Sequence, residues 1–328
     1  MGFLLAAVLF VVGLVIGWTL LVRLDLFSAT RVFCPRPSAP PAIALTAEAT
    51  DLHHRLRIAD LHCDATIWRK DLTRRSNLGH FDFPRMRDAN GALQLFLSVT
   101  EIPRQVAGDL IDDHSDRLTL LDILDQWPIA AILDQTERAL CMGSKLKSFC
   151  ARSEGEIRFI EKASQLRRAL DDRRGDPAVR AAVLGLESND GTKYSLPNIQ
   201  RLFAGGYRTC SLCHLADSAF AASASSVSKS GLTPLGRDAV AAMNEAGMII
   251  DLAYVAPRVI EEVVKSSKRA PFVSHTGPRG VSNDPKCMSD ELLRAVVEKG
   301  GVIGLCFVRD YVNGDGLEDL LCCIEHMI

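Results

Sequence analysis

Two patterns of hydrophobic residues divide the chain. From Phe3 to Val22 there are 20 consecutive residues without a charge, whereas from about residue 45 short apolar runs alternate with longer segments of helical spacing and charged faces. At 1.5 Å per residue, a helix of that length spans about 30 Å, the thickness of the hydrocarbon core of a bilayer. The first pattern predicts one N-terminal transmembrane helix, and the second predicts repeated βα units.

The N-terminal segment, residues 1–24, is predicted to be an uncleaved anchor. A cleavable signal peptide would have a positive n-region, a shorter apolar stretch and a small-x-small cleavage site, and none of these is clear in this sequence. Arg23, Arg31 and Arg36 follow the helix and no Lys or Arg precedes it, so the positive-inside rule favours the cytoplasmic face by a margin of three charges. We therefore expect a single-pass membrane protein and leave the side of the membrane open.

A proline-rich segment follows the predicted anchor. The run Cys34-Pro-Arg-Pro-Ser-Ala-Pro-Pro41 fixes φ and removes backbone donors, so residues 25–44 are predicted to be an extended tether and residues 45–328 the globular domain. Within the anchor, Gly13 and Gly17 have the GxxxG spacing that lets two helices pack closely. This spacing leaves a homodimer open.

The globular domain contains seven runs rich in apolar and β-branched residues that predict strands. They are Leu56–Asp64, Ala92–Thr100, Ala181–Ser188, Tyr207–His214, Met248–Val255, Pro271–His275 and Val302–Val308. Segments of helical spacing lie between them, for example Gly236–Ala246 and Asp290–Lys299. Near-continuous hydrophobicity is typical of parallel strands covered on both faces. The pattern predicts an α/β fold, a TIM-like (β/α)8 barrel, with a doubly wound open sheet as the alternative.

Two regions depart from this alternation. The interval from Pro103 to Val179 is too long for one crossover and is predicted to be a helical excursion, with helices near Leu118–Asp125 and Ile157–Leu170 and a solvated turn at Asp171–Pro177. At the other end, no strand follows the amphipathic run Leu317–Ile328. The predicted barrel is therefore incomplete at its C-terminal end and lacks its last strand, which would expose unpaired backbone on two neighbouring strands.

The composition excludes some classes of protein. Of the 328 residues, 48% are hydrophobic and 24% are charged, which is typical of a globular protein rather than a fibrous or disordered one. With 38 basic and 40 acidic residues, the chain has no overall field that attracts phosphate backbones, so no nucleic-acid partner is expected. The ten cysteines are scattered, several of them inside apolar runs where a reduced thiol acts as a small hydrophobic group.

Ionisable and phenolic side chains collect where the predicted strands end. They are His62, Asp64, Glu187, His214, Tyr254 and His275. In a parallel barrel these strand ends meet at one rim, where such enzymes place their chemistry. A desolvated cluster of imidazoles and carboxylates costs several kcal/mol unless a cation offsets the charge. Imidazole with carboxylate suits Zn²⁺, and a carboxylate that bridges two ions suits a hydrolytic two-metal site.

These residues lie within a series of ordered motifs. The motifs are Ile58-Ala-Asp-Leu-His-Cys-Asp64, Gly185-Leu-Glu187, Gly206-Tyr-Arg-Thr-Cys-Ser-Leu-Cys-His214, Gly231-Leu-Thr-Pro-Leu-Gly236, Met243-Asn-Glu-Ala-Gly-Met-Ile-Ile-Asp-Leu-Ala-Tyr254, Ser274-His275 and Asp290-Glu-Leu-Leu-Arg294. With them, the chain resembles the membrane or renal-type dipeptidases, zinc peptidases with a (β/α)8 barrel. The resemblance runs from about residue 55 to the last residue.

The resemblance implies a zinc-dependent hydrolysis of small dipeptides. It implies that His62 and Asp64 bind one Zn²⁺, that Glu187 bridges two and that His275 binds the second. His214 would face the substrate and help to stabilise the oxyanion that develops when a metal-bound hydroxide attacks the peptide carbonyl. Glu187 and His214 are accordingly the expected catalytic residues.

The chain departs from the family pattern at three places. Tyr254 stands where the pattern Asp-Leu-Ser-His has its histidine, and a phenol has a reference pKa of about 10, so the second zinc site is expected to be weaker. Lys286 stands where the family usually has an arginine for the substrate carboxylate, with Arg279 as a nearby candidate. The eighth strand of the family carries an aspartate in an Asp-Phe-Asp-Gly segment, and no residue here matches it.

These departures leave two other functions open. One is a catalytically impaired dipeptidase relative that keeps the barrel as a binding or scaffold module. The other is a metal-dependent hydrolase of similar fold that acts on another amide or on an ester.

Overall fold

Helices and strands alternate along most of the chain in the computed structural model, which describes residues 2–23, 28–37, 44–102, 106–107, 110–111 and 116–328. The strands are β1 (Ile58–Asp60), β2 (Gly91–Ser98), β3 (Val106–Ala107), β4 (Leu110–Ile111), β5 (Ile157–Phe159), β6 (Arg180–Leu186), β7 (Tyr207–Ser211), β8 (Ile249–Asp251), β9 (Val273–Thr276) and β10 (Ile303–Leu305).

The α-helices cover the segments between these strands and the N-terminal region. They are α1 (Gly2–Arg23), α2 (Ala29–Phe33), α3 (Ala47–Arg55), α4 (Phe83–Asp88), α5 (Arg117–Leu124), α6 (Ile129–Leu133), α7 (Gln135–Arg152), α8 (Ala163–Gly175), α9 (Leu196–Ala204), α10 (Pro234–Ala246), α11 (Pro257–Ser266), α12 (Asp290–Glu298), α13 (Arg309–Val312) and α14 (Leu317–Met327). Short 3₁₀ helices occupy Ala65–Ile67 and Asn189–Thr192.

The strands form a curled parallel sheet. Its order is β1-β2-β6-β7-β8, and β5 pairs with the beginning of β6. A parallel bridge between Asp251 and Phe272 leads from β8 towards β9, which pairs in parallel with β10. Helices such as α8, α9 and α10 pack against the strands that they connect. This arrangement is consistent with the predicted TIM-like barrel.

Within the described residues, β1 and β10 are the edges of the curled sheet. Each pairs with one neighbour, and Ala59 and Asp60 of β1 are exposed. The two edges approach each other, since a Cβ at Gly304 of β10 would lie 3.2 Å from the Cδ1 atom of Leu61. No described strand occupies the position between them.

The seven predicted strands all form at the expected positions. Six of them end earlier than the apolar pattern predicts, for example β1 at Asp60 instead of Asp64 and β7 at Ser211 instead of His214. At four of these ends the physical reason is that polar residues leave the hydrogen-bonded ladder and line the cleft, namely His62, Glu187, His214 and Tyr254. The predicted helices at Leu118–Asp125, Gly236–Ala246 and Asp290–Lys299 also form, with ends shifted by one or two residues.

The excursion between β2 and β6 differs from the prediction in one part. The segment predicted as a helix over Ile157–Leu170 begins with β5, because Ile157 is buried and its backbone pairs with Arg180 of β6. The helix α8 starts only at Ala163. At this end the Gln165 side chain accepts a hydrogen bond from the Lys162 backbone N–H (2.8 Å). It continues to Gly175, so the predicted turn over Asp171–Pro177 is helical for most of its length.

Residues 28–34 of the predicted tether lie against the domain. The carboxylate of Asp125, at the end of α5, accepts hydrogen bonds from the Ser28 hydroxyl (2.9 Å), the Thr30 backbone N–H (3.2 Å) and the Thr30 hydroxyl (2.6 Å). Ser28, Thr30 and Asp125 are all buried. Residues 24–27 and 38–43 lie outside the described part of the chain.

The N-terminal helix α1 is long and apolar enough to cross a bilayer. Its span Leu4–Val22 has a mean hydropathy of 2.7 and is 6% buried. A helix of this kind near an N-terminus is either a membrane span or a signal sequence.

Candidate active site

The carboxyl ends of the parallel strands surround an open cleft of about 1220 Å³. The predicted site residues that line it are His62, Asp64, Glu187, His214, Tyr254, His275 and Lys286. They come from the ends of β1, β6, β7, β8 and β9 and from the loop after β9. The curled sheet therefore brings together groups that are up to 224 residues apart in the sequence.

Glu187 stands at the centre of this group. It follows β6 directly, its backbone N–H donates to the Ser98 carbonyl (3.1 Å), and its side chain is almost fully buried. Its Oε1 atom lies 3.0 Å from His62 Nε2, 3.6 Å from His214 Nε2 and 3.9 Å from His275 Nε2. One buried carboxylate is thus shared by three imidazoles.

His62 and Asp64 lie beyond the strand on which they were predicted. β1 ends at Asp60, whose carboxylate accepts a hydrogen bond from the His62 backbone N–H (3.0 Å), and Asp64 precedes a 3₁₀ helix. Their side chains nevertheless converge, because His62 Nε2 lies 3.8 Å from Asp64 Oδ1. That carboxylate oxygen is buried without a hydrogen-bond partner in the described part of the protein.

His275 is the most buried of the three imidazoles. It lies within β9 and is buried, and its Nδ1 atom shares a hydrogen bond with the Ser274 hydroxyl (2.8 Å). Its Nε2 atom has no hydrogen-bond partner among the described residues and is aimed into the cluster with His62 and Glu187, where the three potential ligand atoms lie within 4.8 Å of one another. An orienting hydrogen bond on one ring nitrogen with the other nitrogen free is the usual arrangement of a metal-binding histidine.

The charges of these groups are strongly coupled. Burial opposes the charged form of His62, but the adjacent Glu187 carboxylate outweighs burial and raises the pKa of this imidazole to about 10. Burial followed by the Glu187 charge raises the pKa of Asp64 to about 7. Burial followed by the His62 charge lowers the pKa of His275 to about 4, so His275 is neutral near pH 7 and keeps a free lone pair.

His214 and Tyr254 lie next to each other in the site. The Tyr254 ring meets the rings of His214 and His275 edge to face, with centroid distances of 4.7 Å and 5.0 Å. The backbone of Tyr254 has a φ of 66°, in the left-handed region, and its carbonyl accepts a hydrogen bond from the Ala224 N–H (2.6 Å). Burial, then the Glu187 charge, raises the pKa of the Tyr254 phenol, which favours the neutral phenol.

The two predicted carboxylate-binding cations occupy different places. Lys286 lines the cleft, where its Nζ atom pairs with Asp284 (3.1 Å) and lies 5.3 Å from the centroid of the Tyr311 ring. Arg279 is not among the cleft-lining residues. Its guanidinium donates to the backbone carbonyls of Cys287 and Pro285 (both 3.1 Å) and so holds the loop that carries Lys286.

Two further residues of the site had no assigned role in the sequence analysis. Tyr311 comes from the short helix α13, lines the cleft and stacks parallel to the His275 ring at 6.4 Å. Asp251 ends β8 and is fully buried, and one oxygen accepts from the Ser274 N–H (3.0 Å) while Oδ2 has no partner among the described residues. The position of Asp251 at a strand end was the available signal, whereas a short helix offers none.

The donor set fits a divalent cation. Unpartnered buried atoms of Asp64 and His275 face a carboxylate that already has three imidazole neighbours. Leaving such polar atoms buried without a partner is costly, and a cation bound by imidazole nitrogen and carboxylate oxygen removes that cost. A curled parallel sheet with such donors at its carboxyl ends is the arrangement found in metal-dependent hydrolases.

Comparison with known proteins identifies the family. The family model of the membrane dipeptidases (peptidase family M19) matches residues 46–328. The chain belongs to this family, as the motifs predicted. An uncharacterized dipeptidase of Schizosaccharomyces pombe is 25% identical over 293 residues, which make up 83% of this chain and 65% of the relative. A second one is 30% identical over 135 residues, 40% of this chain and 33% of the relative. The chain thus spans less than two thirds of the length of these curated relatives.

Solved structures share the fold at low sequence identity. A metallopeptidase from Rhodobacter sphaeroides, liganded with a phosphinate mimic of the dipeptide L-Ala-D-Ala, has a TM-score of 0.67 and 18% identity over 83% of this chain and 82% of that chain. The dipeptidase AC, a metallopeptidase of family M19, has a TM-score of 0.65 and 17% identity, covering 83% and 80%. An amidohydrolase from Pseudomonas aeruginosa has a TM-score of 0.61 and 17% identity, covering 85% and 71%.

Proposed function

We propose that this chain is a zinc-dependent dipeptidase that hydrolyses small dipeptides in the cleft at the carboxyl ends of its strands. The observation that carries the proposal is the buried Glu187 carboxylate with three imidazole nitrogens within 4 Å, beside unpartnered atoms of Asp64 and His275. Membership of the dipeptidase family supports it, as does the dipeptide mimic in the related structure from Rhodobacter sphaeroides.

Two metal positions are proposed in the cleft. His62 and Asp64 would hold one Zn²⁺, Glu187 would bridge to a second, and His275 would hold that second ion with Tyr254 as a weak neighbour. When bound, Zn²⁺ supplies a Lewis acid and a water that is acidic enough to act as a nucleophile near neutral pH.

The remaining polar groups would act on the dipeptide itself. His214 reaches into the cleft within 3.6 Å of Glu187, so its imidazole is placed to donate a hydrogen bond to the oxyanion that develops at the peptide carbonyl. Lys286 offers a point charge to the substrate carboxylate, and its pairing with Asp284 holds the ammonium in place until a substrate arrives.

For the chain as a whole, we propose that residues 1–24 anchor it in the membrane in a single pass, that 25–44 link the anchor to the domain and that 45–328 form the dipeptidase-like domain. A lean to the cytoplasmic face follows from the arginines after α1. The GxxxG pair in α1 supports a homodimer as a further proposal.

Metal content and turnover test the proposed role of Glu187. Glu187→Gln removes the shared charge, so both metal positions should lose affinity by more than the roughly 10- to 100-fold that an outer-shell change costs. Zinc per chain, measured by elemental analysis after dialysis, should fall towards zero, and hydrolysis across a panel of dipeptides should be lost. The control is Glu298→Gln on the exposed surface of α12, which should keep both. Unchanged zinc content in Glu187→Gln would remove the bridging role.

A second candidate function is the catalytically impaired relative, which is favoured by the neutral phenol of Tyr254 at the second metal position. One zinc per chain together with no turnover of any dipeptide after zinc loading would select it. Tyr254→His should then add a second equivalent of zinc and raise turnover. If neither quantity changes, Tyr254 does not belong to the second site.

A further inference from the structure

An apolar surface lies on the outside of α2, α5 and α6. It consists of Val32, Phe33, Leu120, Ile123, Ile129 and Leu133, called here the apolar face. We propose that the apolar face is a membrane-contact surface that rests on the headgroup layer of a phospholipid bilayer. The inference rests on the proposal that α1 is retained as a membrane anchor.

The side chains of the apolar face are highly exposed, although the same helices also have buried sides. Ile129 and Leu133 are 75% and 78% exposed, and Leu120 and Ile123 are 56% and 49% exposed. In α5, the core-facing positions are taken by Leu118 and Leu121. The outward positions of a water-facing helix are normally polar, so a second apolar side needs a separate explanation.

Charge is sparse on the exposed sides of α5 and α6, whereas α2 adds the exposed Arg31 next to Val32. Seven residues between 117 and 133 are exposed, and six of them are apolar, with Arg117 as the exception. α5 contacts both α2 and α6, so the exposed side chains lie on adjacent helices. An amphipathic helix that lies in the plane of a membrane buries its apolar side in the boundary between headgroups and acyl chains.

The position of the apolar face beside α1 selects the bilayer as its partner. Asp125 at the end of α5 binds Ser28 and Thr30, and Ser28 follows Arg23, the last residue of α1, by five residues. Five residues reach at most about 18 Å even when fully extended. The C-terminal end of α1 is also covered, since Val22 is 1% exposed. A membrane in which α1 is inserted therefore lies within that reach of α5.

The docking of residues 28–34 fixes the beginning of this segment against α5. Ala29 packs with Val99, Leu118 and Leu121 in one buried cluster, which Ile102 also contacts. Val99 and Ile102 line the cleft as well. This cluster therefore connects the inner side of α5 with the lining of the candidate active site, and membrane contact would place the cleft near the bilayer surface.

Photocrosslinking of the full chain in lipid vesicles tests the proposal. p-Benzoylphenylalanine replaces Ile129 or Leu133 in separate variants, and vesicles of phosphatidylcholine with phosphatidylserine provide the lipid. Leu14 in the middle of α1 serves as the positive control, and Val297 at the end of α12, also exposed at 56%, is the matched control outside the apolar face. Far-ultraviolet circular dichroism checks that each variant is folded.

We expect lipid adducts, detected by mass spectrometry, at positions 14, 129 and 133. We expect no lipid adducts at Val297. Adducts at Leu14 without adducts at Ile129 and Leu133 would overturn the membrane-contact surface and leave the anchor intact. Crosslinks from Ile129 or Leu133 to a second copy of the chain instead of lipid would also overturn it and assign the apolar face to a dimer. Absence of adducts at Leu14 would refute the anchor and the contact surface together, without bearing on zinc binding or hydrolysis.

Discussion

Replacing Arg138 by methionine is expected to be among the most destabilising single changes in the domain. Arg138 is on α7 and is 1% exposed. Its guanidinium lies 2.6 Å from an Asp116 oxygen and 2.7 Å from an Asp122 oxygen, and it donates to the carbonyls of Thr100 (2.5 Å) and Ala131 (3.1 Å). One side chain thus connects the end of β2 with α5, α6 and α7.

The size of the effect follows from these contacts. Arg138→Met keeps much of the volume but takes the nearest positive charge away from two carboxylates, one of them buried at Asp122. Removing one partner from a buried ion pair costs about 3–5 kcal/mol. At about 2–4 °C per kcal/mol for a domain of this size, the melting temperature should fall by roughly 6–20 °C.

Thermal unfolding of the purified full chain in detergent, followed by circular dichroism, measures this shift. Arg168→Met provides the control, because the Arg168 side chain is 83% exposed and should change stability by no more than about 0.5 kcal/mol. Adding Asp122→Asn to Arg138→Met should restore part of the loss, since it removes the unpaired charge. A shift below about 1 kcal/mol in the single variant, or no recovery in the double variant, would refute the assigned role of Arg138.

Two further predictions concern a packed glycine and a titrating carboxyl. Gly185 lies two residues before Glu187, and Gly185→Ala would place a Cβ 2.1 Å from Thr209 Oγ1, so this change should cost about 1–3 kcal/mol and weaken the proposed zinc binding. Gly175→Ala is the control, because a Cβ there meets no atom within 4 Å and the change should be neutral or stabilising; equal thermal shifts in the two variants would contradict this. Burial, followed by the nearby Asp190 charge, raises the pKa of Glu101 from 4.5 to about 7, so the folded protein binds this proton more tightly than the unfolded chain and stability is lost as pH rises from about 4.5 to 7. Because Glu101 is half exposed, solvent screening reduces this loss to the order of 1 kcal/mol. Glu101→Gln should not show the loss when melting temperatures are measured across that pH range. If the variant and the unchanged protein lose the same stability over this range, the raised pKa of Glu101 is wrong.

Much of the fold could be predicted from the sequence, because buried parallel strands require continuous apolar runs. The strand ends were harder to predict, since His62 and Asp64 continue an apolar run in sequence but leave the sheet in space. β5 was missed for a related reason. Ile157–Phe159 is only three residues long, and its charged surroundings resemble the helix that follows.

Site residues could be predicted where they lie at or just after the end of a strand. Those that come from helices could not. Glu187, His214 and His275 end or follow strands, so the parallel order brings them to one rim. Tyr311 enters the cleft from a four-residue helix, and no periodic pattern marks such a position. Arg138 lies in a helix with several other charged residues, and only the packing of α5 and α6 around it shows that this particular charge is buried.

The backbone at Tyr254 has an evolutionary consequence. This backbone has a left-handed conformation, and its carbonyl accepts hydrogen bonds from the Ala224 N–H and the Ser223 hydroxyl, neither of which involves the phenol. Codons for tyrosine and histidine differ by one base, so a single mutation can exchange phenol and imidazole here while the surrounding chain keeps its path. Such an exchange would add or remove the metal ligand proposed at this place in one step, without a new loop.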